Sequence, residues 1–374
     1  MPKPPTMKDV AAAAGVSLKT VSRHVNGATN IDPELAGRIA AAIVTLGYRH
    51  NLAAASIRPG RSAKVIGLVI SDLANPYWSA LARSVERVLS ENGYLLMTVS
   101  SEEDAERHRL LVDRLIAQRV DGLIAAPPRR DGLDWAVSAS AALPLVAIDR
   151  PVLPSSARPR DEEPEGDSDG VGGESARRVT IDSESTNGSP TAGSSVAVET
   201  VLADNAGGAE AATRELFAQG ARRVLFLGDS LELYTMRERL VGYRRAVRRA
   251  SGDPVDDDRA LVVTSAHTAA EAADIVGALL GSGQVDAVFA ANNRSSIGAL
   301  EAFTRAGIRL PLIGYDDFES ATLVRPAVSV VAQDVALMGE TAARALLARL
   351  AGTPTDPAVT VLPTQLILRG SERP

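Results

Sequence analysis

The chain has 374 residues, more than a single compact domain normally holds, and its 45% hydrophobic content is enough to bury sizeable cores. It contains no cysteine, which excludes disulfides and thiolate chemistry, and no run of the roughly eighteen apolar residues that a membrane-spanning helix needs. The net charge of −6 is unevenly spread: residues 1–64 hold nine lysines and arginines against three acids, so a head of +6 precedes a body of −12, and only the head is suited to a polyanion.

The amino-terminal "MPKPPTMKDV" is basic but has no apolar stretch behind it, so it does not read as a secretory signal, and a cytoplasmic protein is expected. In "TMKDVAAAAG" Thr6 and Asp9 predict the start of a first helix and Gly15 its stop. Ser17 caps a second helix running to Val25, ended by Asn26 and Gly27. Asp32, Pro33 and Gly47 bound a third, whose Leu35, Ile39, Ile43 and Leu46 share one face. On the second helix Lys19, Ser22 and Arg23 fall within one arc, Val21 and Val25 lie opposite, and Leu18 sits at the edge of both faces. Alone, that is an amphipathic helix with a solvated cationic face. With a tight turn before it and a third helix after it, it fits a major groove, where Arg or Lys donates to guanine and an apolar side chain touches a thymine methyl. "RHNLAAASIRPGRS" then offers a short helix capped by Asn51 and ended by Pro59, too short to be stable alone, with Ile57 available as a wedge between base steps.

"MKDVAAAAGVSLKTVSRHVNG" followed by "LGYRHNLAAASIR" resembles the DNA-binding head and hinge helix of the lactose-repressor (LacI/GalR) family of bacterial transcription regulators. The resemblance extends over nearly the whole chain except one insert. It implies that Leu18, Lys19 and Arg23 read bases and that Ser17, Thr20 and Ser22 lie near phosphates. With Asn26, Asn51, Ala54 and Ile57 these residues form the expected DNA-contacting set. Ile57 stands where the family usually has leucine, and Ala55 replaces a cation often found there.

From Lys64 the pattern changes. "KVIGLVIS", "GYLLMTVS", "VDGLIAAP" and "LPLVAID" read as buried strands separated by amphipathic helices, the signature of a doubly wound parallel sheet. "ETVLAD", "RRVLFLGD", "ALVVTS", "VDAVFAAN" and "LPLIGYDD" form a second series. The two lobes resemble the type I periplasmic-binding-protein fold, which the family uses to hold a small effector. The expected architecture is therefore a small all-α helix-turn-helix head (1–49), a hinge (50–62) and an α/β two-lobed, periplasmic-binding-protein-like effector domain (63–374). Lobe 1 is assigned 63–152 and 328–351, and lobe 2 is assigned 196–327 and 352–374. "AVSVVAQD" is expected to return to the first lobe and "TVLPTQLILRGS" to the second.

Ligands of open α/β sheets gather at the carboxyl ends of strands. Those positions hold Tyr77 and Trp78 beside Asn75, then Asp149, Arg239, Asn292 and Asp316. Each alone reads as a helix cap or surface charge, and an aromatic there as a hydrophobic cap; their shared location points to one polar cluster with a ring for stacking. The resemblance places Asp149, Arg239, Asn292 and Asp316 on effector-contacting positions. A carboxylate, amide and guanidinium set suits vicinal hydroxyls, so a sugar leads, with a nucleobase or phosphorylated metabolite as alternatives. Asn293 stands where aspartate is common in the family.

Residues 154–195 are rich in Ser, Gly, Pro and acids, lack a periodic apolar face, and are expected to be a disordered insert at the first crossover between lobes. "LGDSLEL" imitates the Gly-Asp-Ser-Leu block of a hydrolase family, but His267 lacks the aspartate three positions earlier that would make it a base for Ser230. No histidines cluster in metal-ligand spacing, so neither catalysis, a metal nor a cofactor is expected. The expectation is a repressor, a homodimer or tetramer on a pseudo-palindromic double-stranded operator, controlled by a small carbohydrate effector and without a membrane role. The competing reading is a solute-binding protein without a DNA role, which the basic head disfavours.

Overall fold

The computed structural model describes residues 4–28, 30–49, 62–129, 134–152, 177–180, 198–251, 260–353 and 358–374. The chain divides into two compact units, Met1–Ala63 and Lys64–Pro374.

The first unit contains α1 (Met7–Ala14), α2 (Leu18–Val25) and α3 (Pro33–Leu46). Thr6 and Asp9 form a reciprocal capping box, Ser17 accepts from Thr20 N, and Asp32 accepts from Glu34 N and Leu35 N, so each helix start is satisfied by the residue expected to cap it. Val10, Ala11, Ala14, Val21, Ile39, Ala42 and Tyr48 make the core. The expected face of α3 is corrected at its end: Leu46 is exposed, and Ala42 and Tyr48 pack inward instead. Gly47 adopts φ 61° and turns the chain back, so that Tyr48 N bonds Ile43 O and the tyrosine covers the core. The α1–α2 turn depends on Gly15, at φ 61°, where a Cβ would lie 2.6 Å from Arg38 Nη2, the group that donates to Ala14 O. Gly15→Ala is therefore expected to destabilise the head by roughly 1–2 kcal/mol, the cost of a left-handed L-residue, read as a lower melting temperature of the helical head.

The second unit alternates strands and helices: β1 (Val65–Ile70), α4 (Pro76–Glu91), β2 (Leu95–Ser100), α5 (Ala105–Ala117), β3 (Gly122–Ala125), α6 (Asp134–Ala142), β4 (Leu145–Ile148), β5 (Arg177–Thr180), β6 (Glu199–Ala203) and α7 (Asn205–Ala218). Then come β7 (Val224–Leu227), α8 (Tyr234–Ser251), β8 (Ala260–Val263), α9 (Ala269–Leu279), β9 (Ala287–Ala290), α10 (Asn293–Ala306), β10 (Leu312–Tyr315), β11 (Ser329–Gln333), α11 (Val335–Leu350), β12 (Ala358–Leu362) and β13 (Thr364–Ile367). One sheet has the order β2-β1-β3-β4-β6-β12-β5 and the other β13-β11-β10-β9-β7-β8. Both are parallel except at one edge strand, β5 against β12 and β13 against β11. Strand order reverses at β1 in one sheet and at β7 in the other, which opens a crevice at the carboxyl end of each.

The assignment of strands to lobes needs three corrections. β6 lies beside β4 in the first sheet, β11 beside β10 in the second, and β12 beside β6 in the first. The chain therefore crosses between lobes after Ala203, after Gln333 and at Pro363. These strands are mostly apolar, and nothing in their pattern says in which sheet they pair. It follows that the insert leaves and re-enters within lobe 1, between β4 and β6, rather than at a crossover. Within it, against the expectation of no regular structure, Arg177–Thr180 forms β5, paired with Ala358–Val361; the remainder lies outside the described residues.

In lobe 2, α7 and α8 cross so closely that a Cβ on Gly242 would meet Ala206 O at 2.0 Å. That contact fixes α8, and with it Arg239, against the sheet.

Candidate nucleic-acid interface and ligand cleft

In the head, Val21 is fully buried and Val25 half-buried, which leaves Leu18, Lys19 and Arg23 exposed on the opposite side of α2. Ser17 Oγ and Thr20 Oγ1 are 2.8 Å apart, so these hydroxyls steady the helix start as well as facing solvent. Asn26 Nδ2 lies 3.3 Å from Ser22 Oγ and donates to Ser22 O. The Arg23 guanidinium donates to Asn30 O at 3.1 Å and to the Asn30 side chain, so the loop before α3 orients it. Asn51, Ala54 and Ile57 lie outside the described residues.

In the second unit, a cavity of about 320 Å³ opens between the two sheets, and it is lined by all six cleft residues expected from the sequence: Tyr77, Trp78, Asp149, Arg239, Asn292 and Asp316. Asp149 follows β4 and Asp316 follows β10, and both adopt φ 69°. A left-handed non-glycine residue is uncommon, and here it recurs at equivalent strand ends, aiming one carboxylate from each lobe into the cavity.

Asp149 accepts from Tyr77 Oη at 3.0 Å and from Arg150 Nε at 3.0 Å. Arg150 is held on its other edge by both Glu103 oxygens at 2.7 Å and by Pro127 O at 3.1 Å. Burial raises the Asp149 carboxyl above the usual aspartate range, with Arg150 and Arg239 opposing it. Burial and the neighbouring Asp149 and Asp316 carboxylates push the Tyr77 phenol well upward, so it remains a donor. Burial also works against the Glu103 charge, but the Arg150 ion pair more than offsets it and holds that carboxyl below its ordinary value.

In lobe 2, Arg239 donates to Asn205 Oδ1 at 2.8 Å and Ala291 O at 2.6 Å, lies 3.4 Å from Asp316 Oδ2, and stacks 3.7 Å over the Tyr315 ring. Asn292 Oδ1 caps α10 through Ser295 N at 2.7 Å, so the helix-cap reading holds for its oxygen while the residue also lines the cavity. Trp78 departs from the expected exposed stacking ring: it is 3% exposed, belongs to the lobe 1 core, and meets Tyr77 edge-on at 4.9 Å. The α4 N-terminus turns it inward, so the tyrosine faces the cavity and the tryptophan backs it.

Sequence reasoning missed Glu103, Asp72, Asp229 and Gln333. Gln333 donates to Asp316 Oδ1 at 2.5 Å, and its own Oε1 is buried without a partner. It ends β11, the strand assigned to the wrong lobe, which hid its place in the site. Asp229, from the hydrolase-like block, lies 2.5 Å from His267 Nδ1, and the Ser230 hydroxyl accepts from Glu232 N at 3.2 Å. Among the described residues no cluster could hold a metal ion, and no helix is long and apolar enough to cross a membrane.

The family model described as "Bacterial regulatory proteins, lacI family" matches residues 6–51, and "Periplasmic binding protein-like domain" matches 213–372. The transcriptional regulator CelR of Thermobifida fusca is 30% identical, covering 98% of this chain and 98% of its own. The ribose operon repressor of Escherichia coli K12 is 28% identical over 92% of this chain and 93% of its own. Among solved structures, the lac repressor dimer bound to operator and an anti-inducer superposes with a TM-score of 0.77 at 24% identity, covering 100% of both chains. A CelR–cellobiose complex superposes at 0.64 with 29% identity, covering 98% of this chain and 99% of that one.

Proposed function

Because the chain belongs to the LacI family of bacterial transcriptional regulators, we propose that α2 reads its operator in the major groove and that the cleft of the second unit binds an uncharged sugar. Regulation of transcription, not catalysis, is its activity. Leu18, Lys19 and Arg23 supply the base contacts, with Ser17, Thr20, Ser22 and Asn26 near the backbone. Asn51, Ala54 and Ile57 carry the hinge contact in the minor groove.

The observation that carries the ligand reading is the pair of left-handed aspartates converging on one cavity with guanidinium and amide groups between them. Six carboxylates line the cavity against four arginines, a balance that disfavours a phosphorylated metabolite and leaves hydroxyls as the natural partners. That CelR binds cellobiose, and that relatives repress a ribose operon, supports a carbohydrate. A second copy of the chain is the natural partner of lobe 1, whose edge strand β2 exposes Leu95 at 65% and Met97, with Leu73 exposed after β1. A homodimer, alone or paired into a tetramer, presents two α2 helices to a pseudo-palindromic site, and ligand acts by favouring one inter-lobe arrangement.

Selection of bound genomic fragments followed by gel-shift titration with cellobiose and ribose tests this reading. Absence of sequence-selective binding would overturn the DNA half, and shifts indifferent to every neutral sugar would overturn the ligand half. On the selected site, Arg23→Ala is expected to lose about 1–3 kcal/mol at one base pair. An equal loss on every sequence would reduce Arg23 to a phosphate contact.

A further inference from the structure

We propose that Asn293, with Arg294 beside it, is a positioning residue that latches lobe 2 onto the start of α4 in lobe 1 and thereby sets the resting angle of the cleft. Its functional consequence rests on the cleft being the effector site.

The first turn of α10 faces the β1–α4 loop across the cavity. Asn293 is buried, and its Nδ2 donates to Asn75 Oδ1 at 2.9 Å. Asn75 Oδ1 is already the cap acceptor for Tyr77 N at 3.1 Å, so the oxygen, not the amide nitrogen, faces position 293. Only a donor fits there. An aspartate would set a carboxylate against an acceptor, in a cleft that already carries six acids against four arginines. One residue on, Arg294 pairs with Asp72, whose other oxygen accepts from Ala74 N at 2.8 Å and so keeps the carboxylate in place. At another part of the rim Arg129 of lobe 1 lies 3.5 Å from Asp229 of lobe 2. The deeper groups bond mainly within their own lobes: Tyr77, Arg150 and Glu103 around Asp149, and Asn205, Arg239 and Gln333 around Asp316. The lobe-linking pairs line the same cavity as the groups around Asp149 and Asp316, so opening them also changes the wall that a ligand meets. The amide–amide bond contributes donor chemistry at the rim without adding charge, and the fraction of molecules in the latched arrangement multiplies directly into apparent ligand affinity.

The absence of native cysteines makes the lobe angle measurable. Spin labels on Ser138→Cys in lobe 1 and Ala306→Cys in lobe 2, both exposed helix positions, report the inter-lobe distance in the full chain by pulsed dipolar spectroscopy. Asn293→Asp, nearly isosteric, is expected to lower the latched-to-open ratio about tenfold, appearing as a second distance population. Arg294→Ala, at a half-exposed position, is expected to do the same, and charge reversal with Asp72→Arg and Arg294→Asp is expected to restore one population. An unchanged single population in Asn293→Asp and Arg294→Ala would overturn the latch. A change in Arg294→Ala alone would overturn the role of Asn293. The labels read the angle without ligand or DNA, so failure here leaves the effector-site reading to its own titrations.

Discussion

Replacing Arg239 and Asp316 together by alanine is expected to abolish the ligand response while leaving operator binding within about threefold of the parent. Hydrogen bonds to charged groups contribute about 1.5–3 kcal/mol each, so losing two of them weakens ligand at least on the order of a hundredfold. Calorimetric titration with cellobiose reads that loss, and a gel shift on the selected operator reads the retained binding. The single variant Arg239→Ala is expected to be less stable than the pair. Arg239 is 3% exposed and faces Asp316, Asn205 and Ala291 O, so removing it alone strands a carboxylate and two acceptors in a partly dry site, at a cost of about 3–5 kcal/mol. Removing Asp316 as well relieves the stranded charge. Thermal unfolding of the two variants orders them. A double variant that still responds to ligand would take this pair out of the site.

The head was almost fully legible because each of its boundaries rests on local chemistry: Thr6, Ser17 and Asp32 cap, and Gly15 and Gly47 turn, with no help from distant residues. The cleft residues were legible for a different reason. Strand ends in a doubly wound sheet converge wherever the strands run parallel, so Asp149, Asn292 and Asp316 could be collected without knowing their distances, whereas Arg239, inside α8, was placed only by the family resemblance. What the sequence concealed depends on long-range pairing. β6, β11 and β12 are all mostly apolar, and nothing local in Glu199–Ala203 says that it joins β4 rather than β7. Gln333 went unrecognised with β11, and Trp78 was misjudged because its burial depends on α11 packing over α4, a contact of residues far apart in the chain. The cross-lobe pairs of Asp72 with Arg294 and of Asn75 with Asn293 belong to the same class, joining residues more than two hundred positions apart.

His108 is expected to make the second unit lose stability as pH falls from 6.5 towards 4. It lies on α5, fully buried, with neither ring nitrogen partnered and its ring 4.6 Å from Trp135 of α6. Burial lowers its pKa from 6.5 to about 4, with Glu103 opposing the shift and Arg150 reinforcing it. Above pH 6.5 the ring is neutral in folded and unfolded chains alike and contributes no pH dependence. Below 6.5 the unfolded chain takes up a proton that the folded chain refuses, so stability falls until the folded pKa is reached. The full cost is on the order of 3 kcal/mol. His108→Phe removes both the refused proton and two unsatisfied polar atoms. Its stability advantage over the parent should therefore widen on acidification, a difference in which the acid loss from ordinary carboxylates cancels. Paired denaturant titrations at pH 7 and pH 5 measure it, and a constant gap would show that the ring finds a proton-accepting partner when charged.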